Sequence, residues 1–307
     1  MGKRYTIGDT NRLAPKRRRK RLFGPLIITA AVLLLAGELI RSNWFPEVTH
    51  TRIALPGYPA EFDGLRVAHV SDLHGQSFGQ DNETVLRMVE AEQPDLIVIT
   101  GDLIDGYAED RLERQLTWAY TQLERLTRIA PVYYVTGNHE WGADYLAARE
   151  GRRRPVPRLK TMMDSLGVHW MDNQYLTLER GDATIVIAGL IDPNGPADQQ
   201  DPAPLMARIR GREEDAFILM LSHRYDRLDE YEALGLDLVL TGHAHGGVIR
   251  LPFTEGLYGP GRDFLPKHTG GVYRQGDTVM AVSRGLGDTY PRMWNRPEIA
   301  VYTLVKE

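Results

Sequence analysis

Residues 95–106 read Asp95-Leu-Ile-Val-Ile-Thr-Gly-Asp-Leu-Ile-Asp-Gly106. The run from Leu96 to Thr100 is continuously apolar and β-branched. That is the pattern of a strand buried on both faces, as in the parallel sheets of α/β proteins. It stops at a glycine followed by two carboxylates, Asp102 and Asp105. In open α/β sheets ligands bind beyond the carboxyl ends of the strands, so these acids stand where chemistry is expected.

The same arrangement recurs in both directions along the chain. The apolar run 66–71 is followed by Asp72-Leu73-His74, and 131–136 by Gly137-Asn138-His139-Glu140. The run 216–221 is followed by Ser222-His223, and 237–241 by Gly242-His243-Ala244-His245-Gly246-Gly247. A further strand is expected at 184–189. Helical patterns cover 81–92, 109–129, 143–150, 158–166 and 225–234, and the tail from 248 to 305 reads as strand with Gly and Pro turns. Five of the nine histidines fall just past strands. Asp, Asn and His together form a mixed oxygen and nitrogen donor set suited to Mn²⁺, Fe²⁺ or Zn²⁺. In an extended chain, residues two apart point the same way. The D-x-H and H-x-H pairs are therefore expected to aim both side chains at one centre. His69, in mid-strand, reads as a core residue, Glu140 as a helix-start residue, and Asp192 as part of a turn before Pro193.

The composition of the 307 residues, 42% hydrophobic and 25% charged, is that of a globular protein. The absence of cysteine excludes disulfide frameworks, thiolate metal sites and cysteine nucleophiles. The net charge of −4 conceals an asymmetry. Residues 1–21 hold nine Lys/Arg and one Asp, leaving 28 basic and 40 acidic side chains in the remainder. A body at −12 repels polyanions, so a nucleic-acid partner is not expected. The cations run directly into Leu22–Ile40, LFGPLIITAAVLLLAGELI, which carries a single charge, Glu38. Nineteen helical residues span roughly 28 Å, close to the hydrocarbon thickness of a bilayer. The stretch lacks a good small-residue cleavage site, so it reads as an uncleaved anchor rather than a signal peptide. By the positive-inside rule the basic head stays cytoplasmic and the body is extracytoplasmic, with Trp44 and Phe45 suited to the outer interface. The expected organisation is a basic head (1–21), a transmembrane anchor (22–40), a linker and edge strand (41–61) and one catalytic domain (62–307).

Taken in order, the blocks D-x-H, G-D-x-x-D, G-N-H-E, H and G-H-x-H resemble the calcineurin-like metallophosphoesterase superfamily. The stretch Leu240–Pro252 and Ser283-Arg-Gly-Leu-Gly287 resemble its membrane-anchored bacterial branch, with a departure at Val248, where glutamine is more usual. The resemblance implies a four-layer α/β/β/α sandwich whose second sheet is completed by the tail strands. It implies two divalent metal ions, manganese favoured over iron or zinc. Asp72, His74 and His245 would hold one ion and Asn138, His223 and His243 the other, with Asp102 bridging. It implies that His139 protonates the leaving group and that Asp105 orients it. The activity implied is hydrolysis of a phosphodiester or phosphomonoester by metal-activated water. The acidic body and the anchor favour a lipid- or envelope-linked substrate. A UDP-2,3-diacylglucosamine-type pyrophosphate hydrolase and a nucleotide phosphodiesterase or nuclease share these motifs and stay open as alternatives. Arg284, Tyr258 and the basic loop Gly151–Arg154 are further candidates for substrate contact.

Overall fold

A computed structural model describes residues 20–105, 109–251, 254–261, 263–287 and 291–307. The basic head before Lys20 lies outside the described residues. Backbone contacts divide the chain into two units, Met1–Glu38 and Leu39–Glu307.

Helix α1 (Lys20–Trp44) occupies the first unit and the start of the second. Its stretch Gly24–Trp44 has a mean hydropathy of 1.7, is exposed along most of its length, and is long and apolar enough to cross a membrane. Pro25 lies in its second turn. The helix runs four residues past the expected end at Ile40. Its last turn is polar yet held: Asn43 Nδ2 donates to Leu39 O within the helix and to Arg292 O across the domain, at 2.7 and 2.8 Å.

The second unit is built on two six-stranded sheets. The chain runs through β1 (Glu47–Leu55), β2 (Leu65–Val70), α2 (Glu83–Ala91), β3 (Leu96–Thr100), α3 (Glu109–Leu126), β4 (Val132–Val135), α4 (Asn138–Arg149), α5 (Pro155–Leu166) and β5 (His169–Trp170). It continues with β6 (Tyr175–Arg180), β7 (Ala183–Gly189), α6 (Ala203–Arg210), β8 (Phe217–Ser222), α7 (Leu228–Ala233), β9 (Leu238–Thr241), β10 (Gly271–Gln275), β11 (Thr278–Val282) and β12 (Glu298–Lys306). The first sheet is ordered β1-β12-β2-β3-β4-β5 and the second β10-β11-β9-β8-β7-β6. Strands β2 to β5 run parallel, as do β11, β9, β8 and β7.

Three apolar layers explain the architecture. Val67, Val98 and Tyr133 of the first sheet meet Ile187, Leu219 and Leu240 of the second in the middle layer. The alternate residues Ala68, Ile97, Ile99 and Tyr134 face outward, where α2, α3 and α5 cover them through Leu86, Leu123 and Leu159. Helices α6 and α7 cover the far face of the second sheet through Ile209 and Tyr231. Both faces of the central strands are thus buried, which is why they lack polar alternation. Each fully buried Leu, Ile or Val stabilises by roughly 1.5–3 kcal/mol.

Two expectations are corrected. The tail does not go wholly to the second sheet. Strands β10 and β11 join it, whereas β12 enters the first sheet, antiparallel to β2 and parallel to β1. β12 is apolar along most of its length and fills the gap between the edge strand β1 and β2. Helix α4 begins at Asn138 rather than 143, so Asn138 and His139 sit in its first turn.

Beneath the strand ends lies a buried polar cluster. His69 Nε2 meets Thr100 Oγ1 at 2.8 Å, and Thr100 Oγ1 donates to Ser71 Oγ at 2.8 Å. His69 is fully enclosed, and desolvation pushes its pKa down to about 3. Between that value and the ordinary 6.5, only the unfolded chain binds the proton, so stability falls as acid is added. One such group contributes a slope of up to about 1.4 kcal/mol per pH unit. Denaturant unfolding of the metal-stripped protein in detergent should show this loss from about pH 6.5 downward. In His69→Phe the slope should shrink by about one proton.

Candidate metal centre

Asp72, His74, Asp102, Asp105, Asn138, His139, His223, His243 and His245 converge at the carboxyl ends of β2, β3, β4, β8 and β9. The convergence does not come from an extended chain. Asp72, His74, Asp102, His243 and His245 all have positive φ, between 48° and 64°. In this left-handed region each non-glycine residue costs roughly 1 kcal/mol or more. The i, i+2 pairs therefore meet because the backbone turns sharply at both members, a correction to the pleated-strand expectation. Surrounding bonds hold the turns: His74 N donates to Asp102 O at 2.8 Å, and His243 N donates to both oxygens of Asp72 at 3.1 Å. Two glycines permit this crowding. A Cβ on Gly101, whose φ is +85°, would lie 2.5 Å from Gly137 N, and one on Gly242 would strike Ser71 Oγ and Asp72 Oδ2.

Asp102 is fully buried. Its Oδ1 accepts the amide of His139 at 2.8 Å. Among the described residues, its Oδ2 accepts no hydrogen bond. Around that oxygen stand His223 Nε2 at 3.3 Å, His74 Nε2 at 3.8 Å and His139 Nε2 at 3.9 Å. A buried carboxylate oxygen left without a donor is costly unless a cation reaches it. Two donor groups share Asp102. Asp72, His74, Asp102 and His245 offer atoms within 4.8 Å of one another, as do Asp102, His223 and His243. Asn138 joins the second group, its Oδ1 lying 3.0 Å from His223 Nε2. A third combination, His74, Asp105 and His139, is equally compact, but Asp105 is engaged there by His139 and Arg111. The donor chemistry fits two borderline divalent ions bridged by Asp102.

The imidazole orientations agree with that fit. His223 Nδ1 donates to the Thr100 carbonyl at 2.7 Å, which leaves Nε2 as the lone-pair atom facing Asp102. Without a cation, burial alone would lower the pKa of His223. The adjacent Asp102 carboxylate outweighs it and pushes the value up to about 10. His74 and His243 are driven the other way, well below the ordinary histidine range, chiefly by desolvation. His139 differs from all of these. Its Nδ1 lies 2.9 Å from Asp105 Oδ1, and Arg111 pairs with the other oxygen of Asp105 at 3.1 Å. Burial opposes its charge, but Asp105 and Asp102 more than compensate, and its pKa is raised. A histidine so held can carry a proton at neutral pH, a requirement for a general acid.

Several further residues support the centre without offering it a ligand atom. Glu140, read as a helix-start residue, does cap α4 by accepting Gly137 N at 2.8 Å. The same buried carboxylate also accepts Asp102 N and Ile104 N, at 3.0 and 3.1 Å, binding two loops together. Gln115 of α3 accepts Asp105 N and donates to His74 O. Arg224 donates to His243 Nε2 at 2.9 Å and pairs with Asp192 at 2.7 Å. Asp192 also accepts Asn194 N, so the expected turn is present with an ion pair added. Only adjacency to His223 could have drawn attention to Arg224; for Gln115 the sequence holds no signal. Arg284 pairs with Glu47 and Glu298, and Arg154 with Asp144, so both serve packing.

The calcineurin-like phosphoesterase family pattern matches residues 65–247. The metallophosphoesterase YkuE of Bacillus subtilis is 32% identical over 263 residues, 84% of this chain and 85% of its own. The transmembrane protein with metallophosphoesterase domain of Danio rerio is 28% identical over 76% of this chain and 54% of its own. The phosphodiesterase YaeI of Escherichia coli is 25% identical over 86% of this chain and 89% of its own.

Calorimetric titration of the chelator-stripped protein with Mn²⁺ should give two ions per chain, with weaker uptake as pH falls because imidazole ligands must lose their protons. Asp102→Asn should lose at least one ion. Saturation at about a hundredfold excess over Kd should stabilise the fold by about 2.7 kcal/mol for each ion bound, read as a rise in Tm that is smaller in the variant.

Proposed function

Because this chain belongs to the calcineurin-like phosphoesterase family, we propose that it hydrolyses a phosphodiester or phosphomonoester at two divalent ions, with manganese preferred. The protein is a phosphoester hydrolase of a family that depends on paired metals. Asp72, His74 and His245 would hold one ion and Asn138, His223 and His243 the other, with Asp102 shared between the two donor groups. The observation that carries this reading is the buried Asp102 Oδ2, ringed by imidazole nitrogens and offered no hydrogen bond.

When bound, such an ion pair supplies positive charge that makes water nucleophilic and neutralises phosphate oxygens. The rest is done by the chain. The left-handed turns at Asp72, His74, His243 and His245 fix the donor atoms before any ligand arrives, so little reorganisation accompanies binding. His139 holds its Nδ1 proton against Asp105 and turns Nε2 toward the centre, 3.9 Å from Asp102 Oδ2. From Nε2 it protonates the departing alkoxide. Asp105 fixes the ring's tautomer and plane, and Arg111 holds Asp105. Glu140 ties the Asp102 loop to the first turn of α4, keeping the acid and the bridging carboxylate in register.

Helix α1 serves as a membrane anchor, supported by its length, its apolarity and the six consecutive cations Lys16–Arg21 ahead of its apolar stretch. The positive-inside rule puts the catalytic body on the extracytoplasmic side. There the substrate is lipid- or envelope-linked.

The test is turnover of bis(p-nitrophenyl) phosphate and p-nitrophenyl phosphate with a series of divalent ions. Activity should vanish with chelator and return best with Mn²⁺. His139→Ala should keep both ions and lose about 10²–10⁴ in kcat; unchanged turnover would remove His139 from its role. Asp105→Asn should retain metal and lose less. Protease added to intact cells should digest the body, and a protected body would reverse the topology.

A further inference from the structure

The last turn of α1 belongs to the second unit and is clamped to the segment 292–296. Asn43 Oδ1 accepts Arg292 N at 2.9 Å, and Arg296 donates to the Phe45 and Pro46 carbonyls at 2.8 Å. From that segment a series of backbone rungs leads outward. Ile249 bridges Met293, Leu257 N donates to Ile249 O at 2.8 Å, and Leu265 N donates to Leu257 O at 3.0 Å. These adjoining segments leave large apolar side chains in solvent. Phe264 is 81% exposed, Leu265 69%, Trp44 65%, Phe45 57%, Leu251 42% and Trp294 37%. Most exposed large apolar residues of the second unit outside α1 belong to this one series. A contiguous apolar face of this kind on a soluble domain marks an interaction surface.

We infer that this face, Trp44, Phe45, Leu251, Phe264, Leu265 and Trp294, lies on the lipid bilayer, and that the centre acts on a phosphoester carried in the membrane surface. Continuity selects the occupant. The face begins at the residues where the apolar helix ends, so a chain leaving a membrane at Trp44 has these side chains at the lipid boundary. Tryptophan and phenylalanine favour that boundary. The same segment reaches the metal centre. Asn295 Nδ2 donates to His245 O at 2.7 Å, and Arg292 Nη2 donates to Gly287 O at 2.6 Å, beside His245 Nδ1 at 3.3 Å. One short stretch therefore joins the membrane exit to a proposed ligand loop, which suits an ester whose apolar part stays in the bilayer. The docking face stands on its own geometry; the substrate class rests on the hydrolase reading above.

The test uses the full chain in phosphatidylcholine vesicles whose lipids are brominated near the headgroup. Trp294 fluorescence should be quenched, shown by the difference between wild type and Trp294→Phe. Phe264→Asp/Leu265→Asp should lower turnover of a vesicle-borne p-nitrophenyl alkyl phosphodiester by about tenfold and change that of soluble bis(p-nitrophenyl) phosphate by less than about twofold. Absence of Trp294 quenching in the wild-type protein overturns the docking face whatever the variant does. So does cross-linking of two chains through this face. Equal loss on both probes, or none on either, overturns the membrane-borne substrate. If wild type hydrolyses neither probe while Trp294 is quenched, the hydrolase reading fails and the docking face stands.

Discussion

Among the described residues, one oxygen of the buried Asp102 carboxylate accepts no hydrogen bond and has three imidazoles around it, an unstable arrangement without added positive charge. Much of the catalytic end of this fold follows from that constraint at Asp102. Burial works against charge on His223, but the adjacent Asp102 carboxylate outweighs it and raises its pKa, while Nδ1 is committed to the Thr100 carbonyl. The site is thus arranged for charge it does not itself supply, and the strained turns that hold it are maintained by backbone bonds between neighbouring loops.

The scaffold separates two duties. Apolar layers on both faces of the sheets make the strands rigid and insensitive to what lies beyond their ends. The loops past those ends carry most of the polar chemistry. Glu140 and Gln115 lie between the two. Each is buried and accepts backbone amides of the Asp102–Asp105 loop. Substitution at either would disturb the centre without removing any donor.

Much of this was legible beforehand. The central strands were found because burial on both faces leaves an uninterrupted apolar run, and their ends were marked by glycine and titratable residues. His69 was rightly read as core from its place within a strand. Other features had no linear signature. That β12 would insert between β1 and β2 depends on which sheet has an open edge, a property of the assembled layers. The left-handed turns at Asp72 and His243 were misread as pleat, because a one-dimensional pattern reports spacing and carries no sign of φ. Arg224 and Gln115 act through distant partners, and nothing in their immediate neighbours announces it.

Strand β1 pairs only with β12, in parallel, from Glu47↔Glu298 to Leu55↔Lys306. The segment synthesised just after the apolar helix therefore waits for one made some 240 residues later. Until those nine residues emerge, β2 also lacks its neighbour on that side. The body cannot close its first sheet while still being made. Closure comes as a late zipping step that joins the two ends of the domain.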